Sequence, residues 1–361
     1  MLDSDNRAGP YPGRVRASAR QDAVAALRRI GYLLERSSAP TYRVRAFRQA
    51  AAVLEQLDDV ELGQRLAAGS LTQLRGIGPV TAAVVSEAAS GQVPEYLRGL
   101  EESTAVPVSP DGAALLATLR GDLHVHSDWS DGGSPIAEMA EAARALGHSY
   151  LALTDHSPRL TVARGLTAAR LREQLDVVAA LNREVAPFRV LTGIEVDILD
   201  DGSLDQDADL LARLDVVVAS VHSKLAMPAG AMTRRMVTAV AHPHVDVLGH
   251  CTGRLVTGRG RAESAFDADL VFEACRRFGV AVEVNSRPER LDPPMRLLAG
   301  AVTAGCLLSI DTDAHAPGQL EWLAYGCDRV ARAGADPASV VNTWDLERLL
   351  AWTHRPRPPS A

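Results

Sequence analysis

The sequence predicts an α/β protein: a seven-stranded, TIM-like (β/α)7 parallel barrel with a small all-α domain ahead of it. Two observations carry this. From residue 118 onward short apolar runs alternate with helical stretches, and nearly every run ends in a polar side chain. Before residue 100 the apolar residues recur only at three- and four-residue spacing.

Taken in order, residues 1–17 are rich in Arg, Gly and Pro without apolar periodicity and read as a disordered tail. Residues 18–100 read as the helical domain: Val24, Leu27, Ile30 and Leu34 share one helical face, and Phe47, Ala51 and Leu54 another. Residues 101–117, containing EESTAVPVSPDGA, read as a linker because prolines and turn formers interrupt both periods. Residues 118–356 form the barrel. GDLHVHS, YLALTDH, FRVLTGIEVDI, VVVASVH, DVLGH, VAVEVNS and CLLSIDTDAH are its strands, with helices at 134–146, 167–185, 230–241, 267–278 and 292–304. An open doubly wound sheet is the alternative. The barrel is favoured because His126, His156, Glu195, His222, His250, Asn285 and Asp313 with His315 all stand at C-terminal strand ends, which a barrel gathers on one face.

With 361 residues and 47% hydrophobic content the chain can bury a real core, and its net charge of −7 argues against a broadly basic nucleic-acid binder. The charge is uneven, however. Residues 1–105 hold 13 Arg against 12 Asp plus Glu, so a local DNA-binding face remains open there. Four cysteines without a Cys-x-x-Cys pair predict reduced thiols in a cytoplasmic protein, and no apolar run reaches the roughly 18 residues that predict a membrane span.

The run GDLHVHSDWSDG, residues 121–132, sets His124 and His126 two apart on one side of a strand, with Asp131 beyond the turn. Alone such a pair reads as hydrogen-bonded histidines. Repetition changes that reading: Thr154-Asp155-His156, Gly193-Ile194-Glu195, Ser220-Val221-His222, Gly249-His250 and Asp313-Ala314-His315 each follow an apolar run, and such groups are costly to bury unpaired. Imidazole plus carboxylate without thiolate suits Zn²⁺, Mn²⁺ or Fe²⁺. The cluster suits phosphoester hydrolysis by a metal-activated hydroxide. Amide hydrolysis around a carboxylated lysine is excluded, since the only lysine is Lys224, off the ligand positions.

Across residues 120–356 these motifs resemble the polymerase and histidinol phosphatase (PHP) family, whose distorted seven-stranded barrel holds three metals. The resemblance implies one ion on His124, His126, Glu195 and Asp313, a second on Glu195, His222 and His250, and a third on Asp131, His156 and His315. Glu195 would bridge two of them, and Glu195 and Asp313 would be catalytic as well as ligating. Cations near the strand ends are candidates for substrate phosphate: Lys224, Arg159, Arg287 and, best placed after His250, Arg254, for which a catalytic role is expected. Asp155 is expected to orient a ligand imidazole or to act as acid for the leaving group. Asp122 and Asp128 are left for supporting or turn-stabilising work. His148, His242, His244 and His354 read as structural or surface residues.

In LRGIGPVTAAVVSEAASG, residues 74–91, Gly76 and Gly78 form a hairpin, Pro79 opens a helix and Thr81 lies in its first turn. No strand precedes the Gly-x-Gly pair, which sets a dinucleotide loop aside. Backbone N–H groups at such a helix start can grip a phosphate, and Gly76, Gly78, Val80 and Thr81 are the residues expected to do so. The stretch resembles a helix-hairpin-helix element. With YRVRAFRQAA it resembles the N-terminal domain of bacterial family X DNA polymerases, while RLDPPMRLL and VVNTWDLERLLAW resemble the end of those polymerases' PHP domain. This chain leaves no room for palm and thumb domains between its two parts, so no polymerase activity is expected. Without lysine in the first hundred residues, a Schiff-base lyase step lacks its amine.

The function expected first is a metal-dependent phosphoesterase acting on DNA as a 3′→5′ exonuclease or 3′-end processing enzyme. A small-molecule phosphatase of the histidinol phosphate or nucleotide type is the alternative, and a non-catalytic metal- and DNA-binding protein a further one. DNA and a phosphoester are the expected partners, no membrane contact is expected, and the oligomeric state is open.

Overall fold

The structure, a computed structural model, describes residues 19–356. The tail predicted at 1–17 lies outside the described residues. The chain separates into two compact units, residues 1–105 and 106–361.

In the first unit, α1 (Ala19–Arg36), α2 (Thr41–Glu55), α3 (Asp59–Ala67), α4 (Pro79–Ala89) and α5 (Glu95–Ser103) enclose one apolar core. Leu27, Ile30 and Leu34 of α1 are fully or almost fully buried against Phe47, Ala51 and Leu54 of α2 and Val84, Val85 and Ala88 of α4. The Asp58 carboxylate caps α3 by accepting the Glu61 amide at 2.7 Å. Pro79 occupies the first helical position of α4, where its missing N–H costs nothing.

The stretch predicted as linker is more ordered than its prolines suggest. It holds the end of α5 and a further helix, α6 (Pro110–Leu116), which belongs to the second unit. Pro110 sits at its first turn, and Ser109 caps it by accepting the Gly112 amide at 3.1 Å. A Cβ at Gly112 would lie 2.9 Å from the Asp328 backbone, so glycine permits the close docking that burial of Leu115 requires.

The second unit is a parallel sheet whose seven strands follow sequence order: β1 (Gly121–Val125), β2 (Tyr150–Leu153), β3 (Arg189–Asp197), β4 (Val216–Ser220), β5 (Val247–Leu248), β6 (Ala281–Asn285) and β7 (Leu308–Asp311). Between them lie α7 (Ile136–Ala145), α8 (Ala168–Glu184), α9 (Ala208–Leu211), α10 (Ala229–Val240), α11 (Ala268–Phe278) and α12 (Met295–Thr303); α13 (Leu323–Arg332) and α14 (Leu346–Thr353) follow. All seven predicted strands and the five predicted helices form. Tyr150, Val216, Val247 and Ala281, at strand starts, pack with Trp344, Leu349 and Trp352, which plug the N-terminal end of the barrel. The C-terminal end is left to polar side chains.

The ring is nearly closed. β1 meets the end of β7 through one parallel bridge, Val125 to Ala314, and side chains bind the rest of the seam. Asp311 accepts the Leu123 amide at 2.9 Å, and Thr312 donates its hydroxyl to Asp122 at 2.5 Å. The Asn342 amide donates to the carbonyls of Ile310 and Gly121 and to the Asp311 carboxylate, while its oxygen accepts the Ile310 amide. Asp122 therefore works in barrel closure. Burial and the Asp311 charge push its carboxyl far up, and burial with Glu283 pushes Asp311 up to about 6.

Candidate metal centre

All nine side chains expected as ligands meet at the C-terminal mouth of the barrel. Glu195, on β3, stands at the centre with its carboxylate wholly buried. Its Oε1 is 2.8 Å from His250 Nε2 and 3.2 Å from His222 Nε2; its Oε2 is 2.8 Å from His156 Nδ1, 3.4 Å from His124 Nε2 and 3.7 Å from His126 Nε2. Nearer the mouth, Asp131 Oδ1 lies 3.5 Å from His156 Nε2 and 3.3 Å from His315 Nε2. Asp313 Oδ1 lies 3.3 Å from His126 Nε2 and 3.6 Å from His315 Nδ1.

Potential ligand atoms draw together in three sets: His126, Asp131, His156 and His315; His124, His126 and Glu195; His156, Glu195 and His222. The grouping differs from the expected one in four places: Asp313 and His250 fall in none of these sets, and His156 and His126 each join a further one. His156 spans both regions, one ring nitrogen toward Glu195 and the other toward Asp131, and His126 joins the Asp131 set as well as the Glu195 set. A bulge in β1, where Asp122 pairs with Leu151 but Val125 with Leu153, turns the strand at His124.

These residues fit divalent cations on their own chemistry. Both nitrogens of His126, His124 Nε2, His156 Nδ1, His222 Nε2, His250 Nδ1 and Glu195 Oε2 are buried without a hydrogen-bond partner among the described residues. Unsatisfied buried donors and acceptors cost about 1–3 kcal/mol each, and the several gathered around Glu195 imply a partner that satisfies them together. Protonation states divide the histidines. Burial, then the His315 and His156 charges, pushes His126 down to about 3, and burial with Arg290 pushes His250 down to about 4, which keeps their lone pairs free. Burial would lower His124 and His222 too, but Glu195 with Glu283 holds His124 well above its ordinary value and Glu195 with Asp197 raises His222 to about 9, so an ion binding there displaces protons. Burial alone would raise Glu195 and Asp313, yet the surrounding imidazoles, with Arg287 and Arg290 beside Asp313, hold both well below the ordinary carboxylate range.

Buried carboxylates fix several of the imidazoles. Glu283, within β6, meets His124 Nδ1 at 2.5 Å and also accepts the His250 amide, so it orients one ring and anchors the backbone of another. Asp197 lies 3.3 Å from His222 Nδ1. Neither residue was singled out from sequence, although a glutamate inside VAVEVNS and an aspartate at the end of GIEVD are signals, since such groups are almost never buried unpaired.

Asp155 does neither of the things expected of it. Its carboxylate accepts the Ser127 amide at 2.8 Å, the Ser127 and Ser130 hydroxyls at 2.7 and 2.5 Å, and the Gln174 amide at 2.6 Å. Both oxygens are thereby engaged in fixing the turn that carries Asp131, with none directed to an imidazole. Asp128 serves that turn through its backbone, its amide donating to Ser134 at 2.9 Å.

The cations divide differently from the sequence expectation. A cavity of 430 Å³ opens over the cluster, lined by Asp131, His156, His222, Asp313 and His315 together with Leu160, Leu255, Thr257, Arg261, Arg287, Glu289 and Arg290. Of the four predicted cations only Arg287 reaches it. Arg254 donates instead to the Arg290 and Leu291 carbonyls and pairs with Glu263 at 3.5 Å, supporting the loop that presents Arg290. Lys224 pairs with the exposed Asp200, and Arg159 contributes its backbone amide to Asp205. Arg290 Nε donates to Asp313 Oδ2 at 3.0 Å. His148 lies apart, largely buried with neither ring nitrogen hydrogen-bonded, and burial pushes it down to about 4.

In the helical unit the 76–81 turn takes the expected shape. Gly76 has φ +99°, and a Cβ there would meet the Gln49 side chain at 2.9 Å. Gly78 precedes α4 and its amide donates to Thr81 Oγ1 at 3.0 Å; no atom lies within 4 Å of where its Cβ would be. Val80 is exposed and Thr81 buried. A cavity of 430 Å³ beside the turn is lined by Tyr42, Arg43, Phe47, Pro79, Val80 and Tyr96 among others.

Comparison with known proteins accords with both units. Residues 122–287 match the PHP domain model, and residues 18–92 match the model of a helix-hairpin-helix domain. The DNA polymerase/3′-5′ exonuclease PolX of Bacillus subtilis (strain 168) is 43% identical over 240 residues, which are 66% of this chain and 42% of that protein. The chain thus spans less than half the length of that relative. A "Probable phosphatase" of Thermoanaerobacter sp. (strain X514) is 26% identical over 62% of this chain and 89% of its own. A crystal structure of histidinol phosphate phosphatase from Lactococcus lactis subsp. lactis, 18% identical, covers 60% of this chain and 94% of its own with a TM-score of 0.44. The chain is a PHP-domain protein that carries a helix-hairpin-helix domain ahead of the PHP domain.

Proposed function

We propose that this protein is a metal-dependent phosphoester hydrolase that acts on DNA ends, as a 3′→5′ exonuclease or a 3′-end phosphatase. The hydrolase class follows from the PHP domain and the phosphatase relatives. The observation that carries the mechanism is Glu195 at the centre of five imidazoles, beneath a cavity bordered by arginines. DNA as substrate rests on the helix-hairpin-helix domain and on the likeness to PolX.

His124, His126, Glu195 and Asp313, Glu195, His222 and His250, and Asp131, His156 and His315 would hold the ions, with His126 and His156 able to serve two sets. Divalent ions held there supply activated water and neutralise phosphoryl charge. The chain's own groups do the rest. Glu283 and Asp197 hold His124 and His222 in orientation, Arg290 fixes the Asp313 carboxylate, and Arg287 meets the substrate phosphoryl group. Gly76, Val80 and Thr81 hold a DNA phosphate through backbone N–H groups and so carry no sequence preference, while Gly78, whose amide donates to Thr81 Oγ1, shapes the turn that presents them. No helix among the described residues is long and apolar enough to cross a membrane.

Incubation of the full chain with Mn²⁺ and 5′-labelled DNA bearing 3′-hydroxyl or 3′-phosphate ends tests this reading. Shortened or dephosphorylated strands support it. Intact DNA alongside rapid release of phosphate from histidinol phosphate or nucleotides would replace it with the small-molecule reading, which the phosphatase relatives favour.

A further inference from the structure

One wall of the cavity has no part in the chemistry above. After β5 the chain doubles back as a short hairpin in which Leu255 and Arg261 exchange backbone hydrogen bonds of 3.0 and 2.9 Å, with Gly258 and Gly260 at positive φ in the turn. The Val256 amide donates to the Glu289 carbonyl at 2.7 Å, which fastens the hairpin to the loop after β6. Leu255, Thr257 and Arg261 line the cavity, and Arg259 lies beyond them at the exposed tip.

Charge on this wall is not balanced. Arg287 pairs with Glu289 and Arg290 with Asp313, whereas among the described residues the Arg261 guanidinium donates only to the Gly253 carbonyl and Arg259 has no ion pair. Arg261 is exposed on the cavity wall beside the Arg290 guanidinium, and partial desolvation and the Arg290 charge lower it while Asp292 opposes them, so it stays charged and an anion meeting both arginines relieves their repulsion. Leu160 and Leu255 add apolar surface beside these cations, against which a sugar or base can pack by van der Waals contact while the arginines meet phosphate. At 430 Å³ the cavity is near the lower end of ligand pockets, about 300–1,000 Å³, so a polymer must continue outward past its rim.

We infer that the 255–261 hairpin is a strand grip: Arg261 and Arg259 hold the phosphodiester adjoining the scissile ester, and so the site favours a polynucleotide end over a free phosphate monoester. This rests on the reading of the protein as a phosphoester hydrolase of DNA ends.

The test compares full-length wild type, Arg259→Ala, Arg259→Lys, Arg261→Ala and the double alanine variant on a labelled single-stranded oligonucleotide and on p-nitrophenyl phosphate. The ratio of kcat/KM for oligonucleotide over p-nitrophenyl phosphate should fall about fivefold for each alanine and about 25-fold for the pair, mostly through KM. The slope of log KM against log salt should drop by about one unit per arginine removed, and Arg259→Lys should retain most of the ratio. Arg259 is exposed and makes no hydrogen bond or ion pair among the described residues, so its variants should keep the fold and read the grip alone. A ratio within twofold of wild type in Arg259→Ala and in the double variant overturns the inference, as does equal loss on both substrates in Arg261→Ala. If wild type hydrolyses p-nitrophenyl phosphate but leaves the oligonucleotide intact, the DNA reading falls and the grip with it; if wild type degrades the oligonucleotide and the variants keep its ratio, only the grip falls.

Discussion

Replacing Glu283 by Gln tests whether metal affinity here is set by groups that never touch the metal. Glu283 Oε1 lies 2.5 Å from His124 Nδ1, and both side chains are fully buried, so the contact is charge-assisted and screened by no solvent. Gln preserves the volume, which avoids a cavity, but removes the charge that makes His124 a stronger ligand. It also competes as a donor for Nδ1. Loss of a partner of this kind typically weakens a metal site 10- to 100-fold, about 1.4–2.7 kcal/mol. Competition with a chromophoric chelator reads affinity directly, and steady-state hydrolysis at saturating Mn²⁺ separates weak loading from impaired chemistry. The expected result is a Kd raised within that range for the most tightly held ion, with activity largely restored by excess metal. An unchanged Kd would refute the reasoning, because the buried carboxylate would then be shown to serve only the His250 backbone.

Glu195→Ala should remove metal binding and lower hydrolysis by orders of magnitude while the far-ultraviolet circular dichroism stays native; retained stoichiometric metal would contradict its central place. Gly76→Ala, at φ +99° with Gln49 in the way, should destabilise the protein by about 1–3 kcal/mol in thermal melts, whereas Gly78→Ala meets open space and should keep the melting temperature near that of wild type. Burial depresses His148 from its ordinary value near 6.5 to about 4, so protonation favours the unfolded chain: its contribution is full above 6.5 and falls as pH drops toward 4. His148→Leu should therefore gain on wild type by at most about 3 kcal/mol between those pH values in urea unfolding. Arg254→Ala should act mainly on thermal stability through the 290–291 loop, while Arg290→Ala, which frees Asp313, should act mainly on kcat.

The reach of the sequence follows from how each group is placed. A histidine two residues along a strand from another has its direction set by strand geometry, so His124 with His126 could be read from spacing, while polar residues just past the later apolar runs marked the mouth and the full nine-ligand set followed from the family resemblance. Arg254 and Arg290 lie on irregular loops after β5 and β6, where no period dictates direction, and the residue nearer in sequence to His250 turned out to face away from the cavity. Asp155 was misassigned for a related reason: its neighbour His156 does point into the mouth, but alternation sends Asp155 to the opposite side, toward Ser127, Ser130 and Gln174. Glu283 was legible in principle as a charge inside an apolar strand. Helix α6 was hidden because prolines at 107 and 110 mark a linker and a helix start alike, and only its docking against α13 distinguishes them.

The Asn342 amide holds Ile310 and Asp311 of the last strand and reaches the Gly121 carbonyl of the first, yet it is borne on a segment made some thirty residues after β7. During synthesis the seven strands can emerge and pair in sequence order and meet through Val125 with Ala314, Leu123 with Asp311 and Asp122 with Thr312, whereas the ties from Asn342 come only when residue 342 leaves the ribosome. A translation product that stops short of this asparagine holds every candidate ligand and lacks the last clasp on the seam.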